Sequence, residues 1–210
     1  MEGQPWHWSI WDEDAMERTA QPPTTTARYT WSDFIALDDD DRRELLDGEL
    51  VEMDVPTALH EWIVATLVHY LRSWAMARQA GIVLASGYKV KIRNDRGFMP
   101  DVQYFQRGGR PVPNQGLDAG APDLAIEVIS PGSGRYDRVE KLRGYADIGV
   151  PEYWIVDAER QTLERLVLDS PGSYRSADTL VGDVTFAPAS FPDLVIDLRE
   201  LWRLPEWFER

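Results

Sequence analysis

The chain has 210 residues, of which 43% are hydrophobic and 28% charged, and this length predicts one domain, or one domain with a tail. Cysteine is absent, which excludes disulfide scaffolds, thiol nucleophiles, cysteine zinc sites and iron–sulfur clusters, and three histidines leave little room for an imidazole-rich metal site. No apolar run approaches the roughly 18 residues of a membrane span, and the N-terminus lacks a signal-peptide pattern, so we expect a cytoplasmic protein.

The net charge of −14 argues against a nucleic-acid partner, because binding to phosphates normally depends on a basic surface. The acidity is, however, concentrated near the N-terminus, where residues 1–54 hold 15 acidic residues against 4 arginines. Residues 89–143 hold ten basic side chains against seven acidic ones. This stretch is suited to facing a phosphate, and ordinary solvated surface charge is the equally simple interpretation.

The first quarter of the chain predicts a tail, a short helix and a hairpin. Residues 1–29 mix tryptophans, acids and prolines without a sustained period, which indicates a disordered or loosely docked tail. Ser32 is a predicted helix cap, and the short helix that follows ends in the acidic run 38–41. Two apolar segments flank Asp47-Gly48, a dipeptide that favours the backbone torsions of a tight β-hairpin turn.

Apolar residues recur at three- and four-residue spacing from Thr57 to Arg78, which predicts a long amphipathic helix with Gly81 as its stop signal. Further along, the chain alternates strands with a loop and one more helix. The predicted strands are Ile82–Ala85, Tyr88–Ile92, Val102–Phe105, Leu124–Ile129, Glu152–Asp157 and short segments near 163–168 and 194–196. The predicted loop is Arg107–Pro122, and the predicted helix is Arg135–Ile148, which Gly149 ends. The strand–helix–strand order over 124–157 implies a parallel pair of strands.

Two carboxylates are candidates for chemistry. Asp101 follows a proline at the start of a predicted strand, where a turn-forming role is the ordinary alternative. Glu127 lies in an otherwise apolar strand, where an ionised carboxylate costs several kcal/mol unless a cation compensates it. A buried salt bridge, with arginine as the expected partner, explains Glu127 as well as a metal does. If a metal is bound, two carboxylates without cysteine or histidine suit Mg²⁺ or Mn²⁺.

Lysine is rare, with three residues against 19 arginines. Lys141 follows Asp137 by four residues, so an ordinary helix ion pair is its simplest role, and stabilising charge on a phosphoryl group is the functional alternative. Lys89 and Lys91 are expected on a solvent-facing strand or against a backbone phosphate. His60 opens the long helix, where packing or surface exposure is the common fate of a histidine.

An ordered set of motifs resembles the Uma-two family of bacterial restriction-endonuclease-like proteins, in the PD-(D/E)XK nuclease superfamily. The matching residues are Pro100-Asp101-Val102, the run from Pro122 to Pro131, Asp137, Lys141, Tyr145, and the run from Gly149 to Asp157. The hairpin at Asp47-Gly48-Glu49 and the helix opening near His60 also match. The resemblance spans roughly residues 30 to 200, so we expect residues 30–210 to form a single domain of this kind.

The resemblance implies an α/β fold with a restriction-endonuclease-like core, in which helices flank a mixed central β-sheet and an N-terminal β-hairpin is added. Asp101 matches the aspartate of the superfamily motif and Glu127 matches its acidic position. Ile129 stands where the motif has lysine, so Lys141 from the following helix would take that role.

The implied function is hydrolysis of DNA phosphodiester bonds with Mg²⁺ or Mn²⁺ held by Asp101, Glu127 and the carbonyl of Val128. Lys141 would then orient water or screen charge, with Glu44, Glu49 and His60 as auxiliary groups at the rim of the site. A twofold dimer would suit the cutting of two strands. The alternative from another class is a catalytically silent module that binds nucleic acid or protein on the same fold. A carboxylate-pair glycosidase has less support, because nothing beyond scattered tryptophans provides a sugar platform.

Overall fold

The computed structural model of the protein describes residues 28–38, 40–109, 120–130 and 133–208. The helices are α1 (Trp31–Ile35), α2 (Ala58–Arg78), α3 (Leu142–Asp147) and α4 (Arg199–Trp202), and a π-helical turn over Tyr136–Lys141 leads directly into α3. The strands are β1 (Arg43–Leu46), β2 (Glu49–Glu52), β3 (Gly81–Ala85), β4 (Val90–Arg93), β5 (Arg96–Phe98), β6 (Val102–Gln106), β7 (Leu124–Ile129), β8 (Glu152–Asp157), β9 (Thr162–Ser170), β10 (Ser173–Val181), β11 (Thr185–Phe186) and β12 (Ile196–Asp197).

A six-stranded sheet with the order β10-β9-β8-β7-β6-β3 forms the centre of the fold. The pair β7–β8 is parallel and the other pairs in this sheet are antiparallel. A second sheet, β2-β1-β5-β4, contains the N-terminal hairpin. The predicted fold class is therefore confirmed: a mixed central sheet is flanked by helices, with an added hairpin.

The central sheet buries both of its faces because successive side chains of each strand point to opposite sides. On one face, Ile126 and Trp154 pack in a core with Ile63 and Leu67 of α2. On the other face, a second core contains Ala125, Ile155, Phe98 and Tyr145. Glu127 shares the face of Ala125, so its side chain lies on the same side as the helix that carries Lys141 and Tyr145.

The predicted hairpin turn and the predicted parallel strand pair are both confirmed. Asp47 and Gly48 both have positive φ, at 51° and 83°, and they close the predicted hairpin between β1 and β2. Helix α2 begins after Thr57, whose hydroxyl accepts a hydrogen bond from the backbone N–H of His60 at 3.1 Å. The predicted strand–helix–strand unit ends in the parallel pair β7–β8, as expected.

Several boundaries were wrong. The cap of α1 is Thr30 rather than Ser32, because Thr30 and Asp33 form a reciprocal capping box, and α1 ends before the acidic run. Helix α2 ends at Arg78, and the residue that caps it, Gln79, takes the left-handed conformation expected of a glycine. Gly81 begins β3 instead.

No sequence pattern indicated β5 or β10, and a regular helix was predicted where the π-helical turn lies. Strand β10 is largely exposed and pairs with β9 alone, so it lacks the apolar alternation that marks a buried strand.

Some predictions fall on segments outside the described residues: most of the predicted tail, at 1–27, the central part of the predicted loop, at 110–119, and positions 131–132. Within the described part of the chain, none of the helices has the length and apolar character needed to cross a bilayer.

Candidate active site

The two predicted acids lie opposite each other at the end of an antiparallel strand pair. In the β6–β7 register, Val102 faces Ile126, so one step further along the strands Asp101 comes opposite Glu127. Directly opposite residues share a face of the sheet, with Cβ atoms about 5 Å apart. The backbone N–H of Val128 donates a hydrogen bond to Asp101 Oδ2 at 2.8 Å. Both carboxylates line one cavity of about 380 Å³.

Lys141 reaches this acidic pair from the π-helical turn. Its Nζ lies 3.0 Å from Glu127 Oε2, 3.1 Å from Glu44 Oε1 and 3.6 Å from Asp137 Oδ1. The ion pair between Lys141 and Asp137, which is the simplest role that the sequence suggests for Lys141, is the longest of these three contacts. The cation beside Glu127 is thus a lysine, and the arginine expected of a structural salt bridge is not its partner.

Tyr145, one turn further along the same helix, fixes the other oxygen of Glu127. Its hydroxyl donates to Glu127 Oε1 at 2.7 Å, and both groups are buried. The sequence places Tyr145 on the apolar face of a helix, where it is indistinguishable from an ordinary core residue. The signal for its role is that a buried tyrosine hydroxyl needs a hydrogen-bond partner.

Glu44 belongs to the centre of the site rather than to its rim. It lies on β1, its side chain is 1% exposed, and its Oε1 accepts a hydrogen bond from the backbone N–H of Met99 at 2.7 Å. Its other oxygen, Oε2, is buried and has no hydrogen-bond donor among the described residues. Glu49 is exposed on β2 and does not line the cavity, so its predicted auxiliary role is wrong.

His60 contacts the aspartate of the pair. Its Nε2 lies 3.3 Å from Asp101 Oδ2, and its side chain is buried rather than on the surface. Burial alone would lower the pKa of His60, but the neighbouring Asp101 and Glu61 outweigh it and raise the pKa above its ordinary value. The sequence favoured plain packing or surface exposure for His60. The residues around it in α2 do not show that the start of this helix lies beside Asp101, at the start of β6.

Three carboxylates therefore contact one ammonium group, and Asp101 adds a fourth negative charge in the same cavity. Burial raises the pKa of Glu44, Glu127 and Asp137, and Lys141 offsets this only in part. Burial would lower the pKa of Lys141, yet Glu127, Glu44 and Asp137 together hold it well above its usual value. Lys141 thus carries its charge, and the carboxylates around it outnumber it.

This donor set fits a hard divalent cation. No group of three or more histidine, aspartate or glutamate side chains is arranged to hold a metal ion in the described part of the chain. The ammonium of Lys141 contacts oxygens of both Glu44 and Glu127. Mg²⁺ needs only one or two carboxylates, since water and substrate oxygens complete its shell. Asp101 and Glu127 supply that number, and the buried, unpartnered oxygen of Glu44 adds to the negative charge.

The other two lysines have structural contacts. Lys89 Nζ donates to the carbonyl of Phe34 at 2.9 Å and lies over the Phe34 ring, and Lys91 Nζ lies over the ring of Trp31. Both hold α1 against the second sheet. The expected solvent-facing position of this pair is wrong, because both side chains are partly buried, and the phosphate contact stays a prediction.

Comparison with known proteins is consistent with this geometry. Residues 31–199 match the model of the Uma2 family, which is described as "Putative restriction endonuclease". Among the solved structures that resemble the chain is one described as a putative nuclease belonging to DUF820 from Anabaena variabilis ATCC 29413, with a TM-score of 0.68 and 19% sequence identity. The match covers 82% of this chain and 97% of that one. No curated protein matches the chain.

Proposed function

This chain belongs to the Uma2 family of restriction-endonuclease-like proteins, and from that membership and the site geometry we propose that it is a Mg²⁺- or Mn²⁺-dependent nuclease that hydrolyses DNA phosphodiester bonds. The observation that carries the proposal is the convergence of Asp101, Glu127 and Lys141 in one cavity. Asp101 lies at the start of a strand, Glu127 in a buried strand and Lys141 in a helical turn. Stability of the fold does not require a buried cluster with more carboxylates than cations, because unpaired buried charge is destabilising.

In this proposal, Asp101 and Glu127, with the carbonyl of Val128, would hold the metal ion, which when bound would activate a water molecule and polarise a phosphate oxygen. Lys141 keeps its ammonium charged beside Glu127 and stabilises negative charge that develops on the phosphoryl group. Tyr145 fixes the orientation of the Glu127 carboxylate, and His60 does the same for Asp101.

Support for a nucleic-acid substrate comes from the family description and from the charge distribution. The stretch 89–143 is the basic part of an acidic chain, and it carries the three candidate residues. Nuclease active sites combine acidic metal ligands with nearby basic groups, because the metal and the phosphodiester need opposite charges.

The test is cleavage of plasmid and oligonucleotide DNA by the full chain with Mg²⁺ or Mn²⁺. We expect activity that EDTA abolishes, and a loss of about 100-fold or more in Asp101→Asn and Glu127→Gln, since removal of groups that merely support a metal ligand already costs 10–100-fold. Asp169→Asn is the matched control, because Asp169 is an exposed carboxylate on β9 and is 60% accessible. Equal activity in wild type and Asp101→Asn would rule the proposal out.

The second candidate is a catalytically silent module that binds nucleic acid on the same fold. The specific observation in its favour is that both oxygens of Glu127 already have partners, Tyr145 and Lys141. This candidate predicts oligonucleotide binding without hydrolysis under any divalent metal.

A further inference from the structure

A second cleft, of about 580 Å³, adjoins the candidate active site. It lies at the carboxyl ends of the parallel strands β7 and β8, beside Ile129 and Asp157. In open α/β sheets, ligands commonly bind outside the carboxyl ends of parallel strands. His60 and Ser130 line both this cleft and the active-site cavity, so the two spaces are neighbours.

Three guanidinium groups line this cleft, those of Arg135, Arg138 and Arg160. Asp157 contacts two of them: its Oδ2 lies 3.1 Å from Arg160 Nη1 and 3.8 Å from Arg138 Nη2. Arg138 also contacts Glu164 at 2.6 Å. Glu159 is the second carboxylate that lines the cleft, so three guanidinium groups face two lining acids, and no ion pair joins Arg135 to either of them among the described residues.

Two of the three arginines keep most of their donors available. Arg135 is exposed and has no ion-pair partner among the described residues. The side chain of Arg160 is 70% exposed, and it makes one hydrogen bond, to Asp157. A guanidinium group has five N–H donors in a planar fork that matches phosphate oxygens.

The active-site cavity has the opposite charge. Among the described residues that line it, eight carboxylates face only two permanent cations, Arg42 and Lys141. Four of these acids lie outside the central cluster: Asp40, Asp41, Asp54 and Glu61. This difference in charge favours a path for a polyanionic strand that leaves the active site towards the arginine cleft rather than past the outer acids.

We propose that the arginine cleft, formed by Arg135, Arg138 and Arg160, binds a backbone phosphodiester of the nucleic-acid strand next to the bond at the active site. This inference rests on the proposed nuclease function for the identity of the strand. The strand then extends from the scissile position past His60 and Ser130 into the cleft, and its phosphates on the other side of the cut gain no comparable contact.

The first experiment measures binding without cleavage. Fluorescence anisotropy of a short, labelled single-stranded oligonucleotide is recorded with the full chain in EDTA over a range of salt concentrations. We expect the double substitution Arg135→Ala/Arg160→Ala to weaken binding roughly 10-fold and to reduce the salt slope by about 0.7 for each phosphate that no longer pairs with an arginine. Circular dichroism confirms that the variant is folded.

The matched control is Arg175→Ala/Arg199→Ala. Both of these arginines are 60% exposed and form one long ion pair each, at 3.6 Å with Asp169 and 3.9 Å with Asp183. The control changes net charge by the same amount, so it should leave the affinity and the salt slope close to those of wild type. An equal loss of affinity in both double variants, or no binding in wild type, would overturn the inference.

The second experiment locates the contact along the strand. Oligonucleotides with one neutral methylphosphonate at successive positions are cleaved with Mg²⁺, and we expect slower cleavage for substitutions on one side of the cut only. In Arg135→Ala/Arg160→Ala this sensitivity should disappear. Symmetric sensitivity in wild type would contradict the proposed path of the strand.

The two proposals fail in different ways. If the double arginine variant cleaves DNA as wild type does, the proposed nuclease function is retained and the proposed phosphate site in the arginine cleft is rejected. Arginine-dependent oligonucleotide binding without hydrolysis removes the nuclease function, and the subsite then belongs to a binding module.

Discussion

Lys141 is the residue on which the site depends, because it is the one ammonium shared by Glu44 of the second sheet and Glu127 of the central sheet. The rarity of lysine in the sequence indicated that Lys141 is important. The apolar neighbours of Glu127 indicated the same for that residue. The central position of Glu44 was not visible, because β1 reads as an ordinary hairpin strand and its partner comes from a distant helix.

Removal of this ammonium should destabilise the fold. Lys141→Met leaves Glu44 and Glu127 buried without a cation, and we expect a loss of about 3–5 kcal/mol in the free energy of unfolding. The double variant with Glu44→Gln should lose less than the sum of the two single variants, because the residues interact directly. Urea denaturation at neutral pH in EDTA measures all four proteins, and strict additivity would contradict the shared ion pair.

A second buried pair, Glu152 and Arg165, predicts how stability depends on pH. Burial raises the pKa of Glu152, but hydrogen bonds from Arg165, Ser190 and Trp154 outweigh it and lower the pKa below its ordinary value. The folded state therefore binds the proton less readily than the unfolded chain. The stabilisation is fully present above the unfolded pKa of about 4.3 and is lost as pH falls through the folded value.

Glu152→Gln should accordingly be about 3 kcal/mol less stable than wild type at neutral pH, since one partner of a buried pair loses its charge. The difference should narrow as the solution becomes acidic. Urea denaturation at neutral and acidic pH tests this, with Asp169→Asn as an exposed control that should differ from wild type by no more than about 0.5 kcal/mol. A constant difference across the pH range would show that the charge of Glu152 does not contribute.

At the scale of elements, the π-helical turn and α3 connect the two sheets. The turn carries Lys141 to the acids, and Gly144 allows α3 to approach Phe98 of β5: a Cβ at this glycine would lie 2.5 Å from Phe98 Cε2. The ring of Phe98 is fully buried, so it cannot move aside easily.

Gly144→Ala should therefore cost about 1–3 kcal/mol of stability through overpacking, despite the better helix propensity of alanine. Gly134→Ala is the matched control, because among the described residues the added methyl group would meet Ile129 Cγ2 alone, at an ordinary 3.5 Å. Thermal denaturation of both variants measures the effect. A Gly144→Ala variant as stable as wild type would show that the helix is free to shift.

The elements that sequence patterns predicted are those with local determinants. The hairpin follows from Asp47-Gly48, and α2 follows from Thr57 and its apolar spacing. The π-helical turn has no comparable signal, because side-chain spacing does not distinguish i→i+5 hydrogen bonding from the i→i+4 pattern of an α-helix. Strand β10 was missed for a related reason: pairing with β9 determines it, and its own residues are mostly polar.

At the scale of the whole molecule, the site exists because two sheets and one helix meet. Apolar periodicity established the parallel unit over 124–157, but it could not show that β6 pairs with β7 or that Asp101 lies opposite Glu127. The family resemblance supplied that juxtaposition, and the strand register agrees with it. The separation of an acidic cavity from an arginine-lined cleft is likewise a property of the assembled fold, since the cavity acids Asp40 and Asp101 are far apart in the chain from each other and from Arg160 of the cleft.

The central claim is that Asp101 and Glu127 share a divalent cation, and calorimetric titration with Mn²⁺ tests it most directly. Wild type should show one saturable binding event that is lost in Asp101→Asn and Glu127→Gln, and retained in Asp169→Asn. It should also be largely retained in Lys141→Ala, because that substitution removes a positive charge and no oxygen ligand. Absence of saturable binding in wild type, or undiminished binding in Asp101→Asn, would contradict the account.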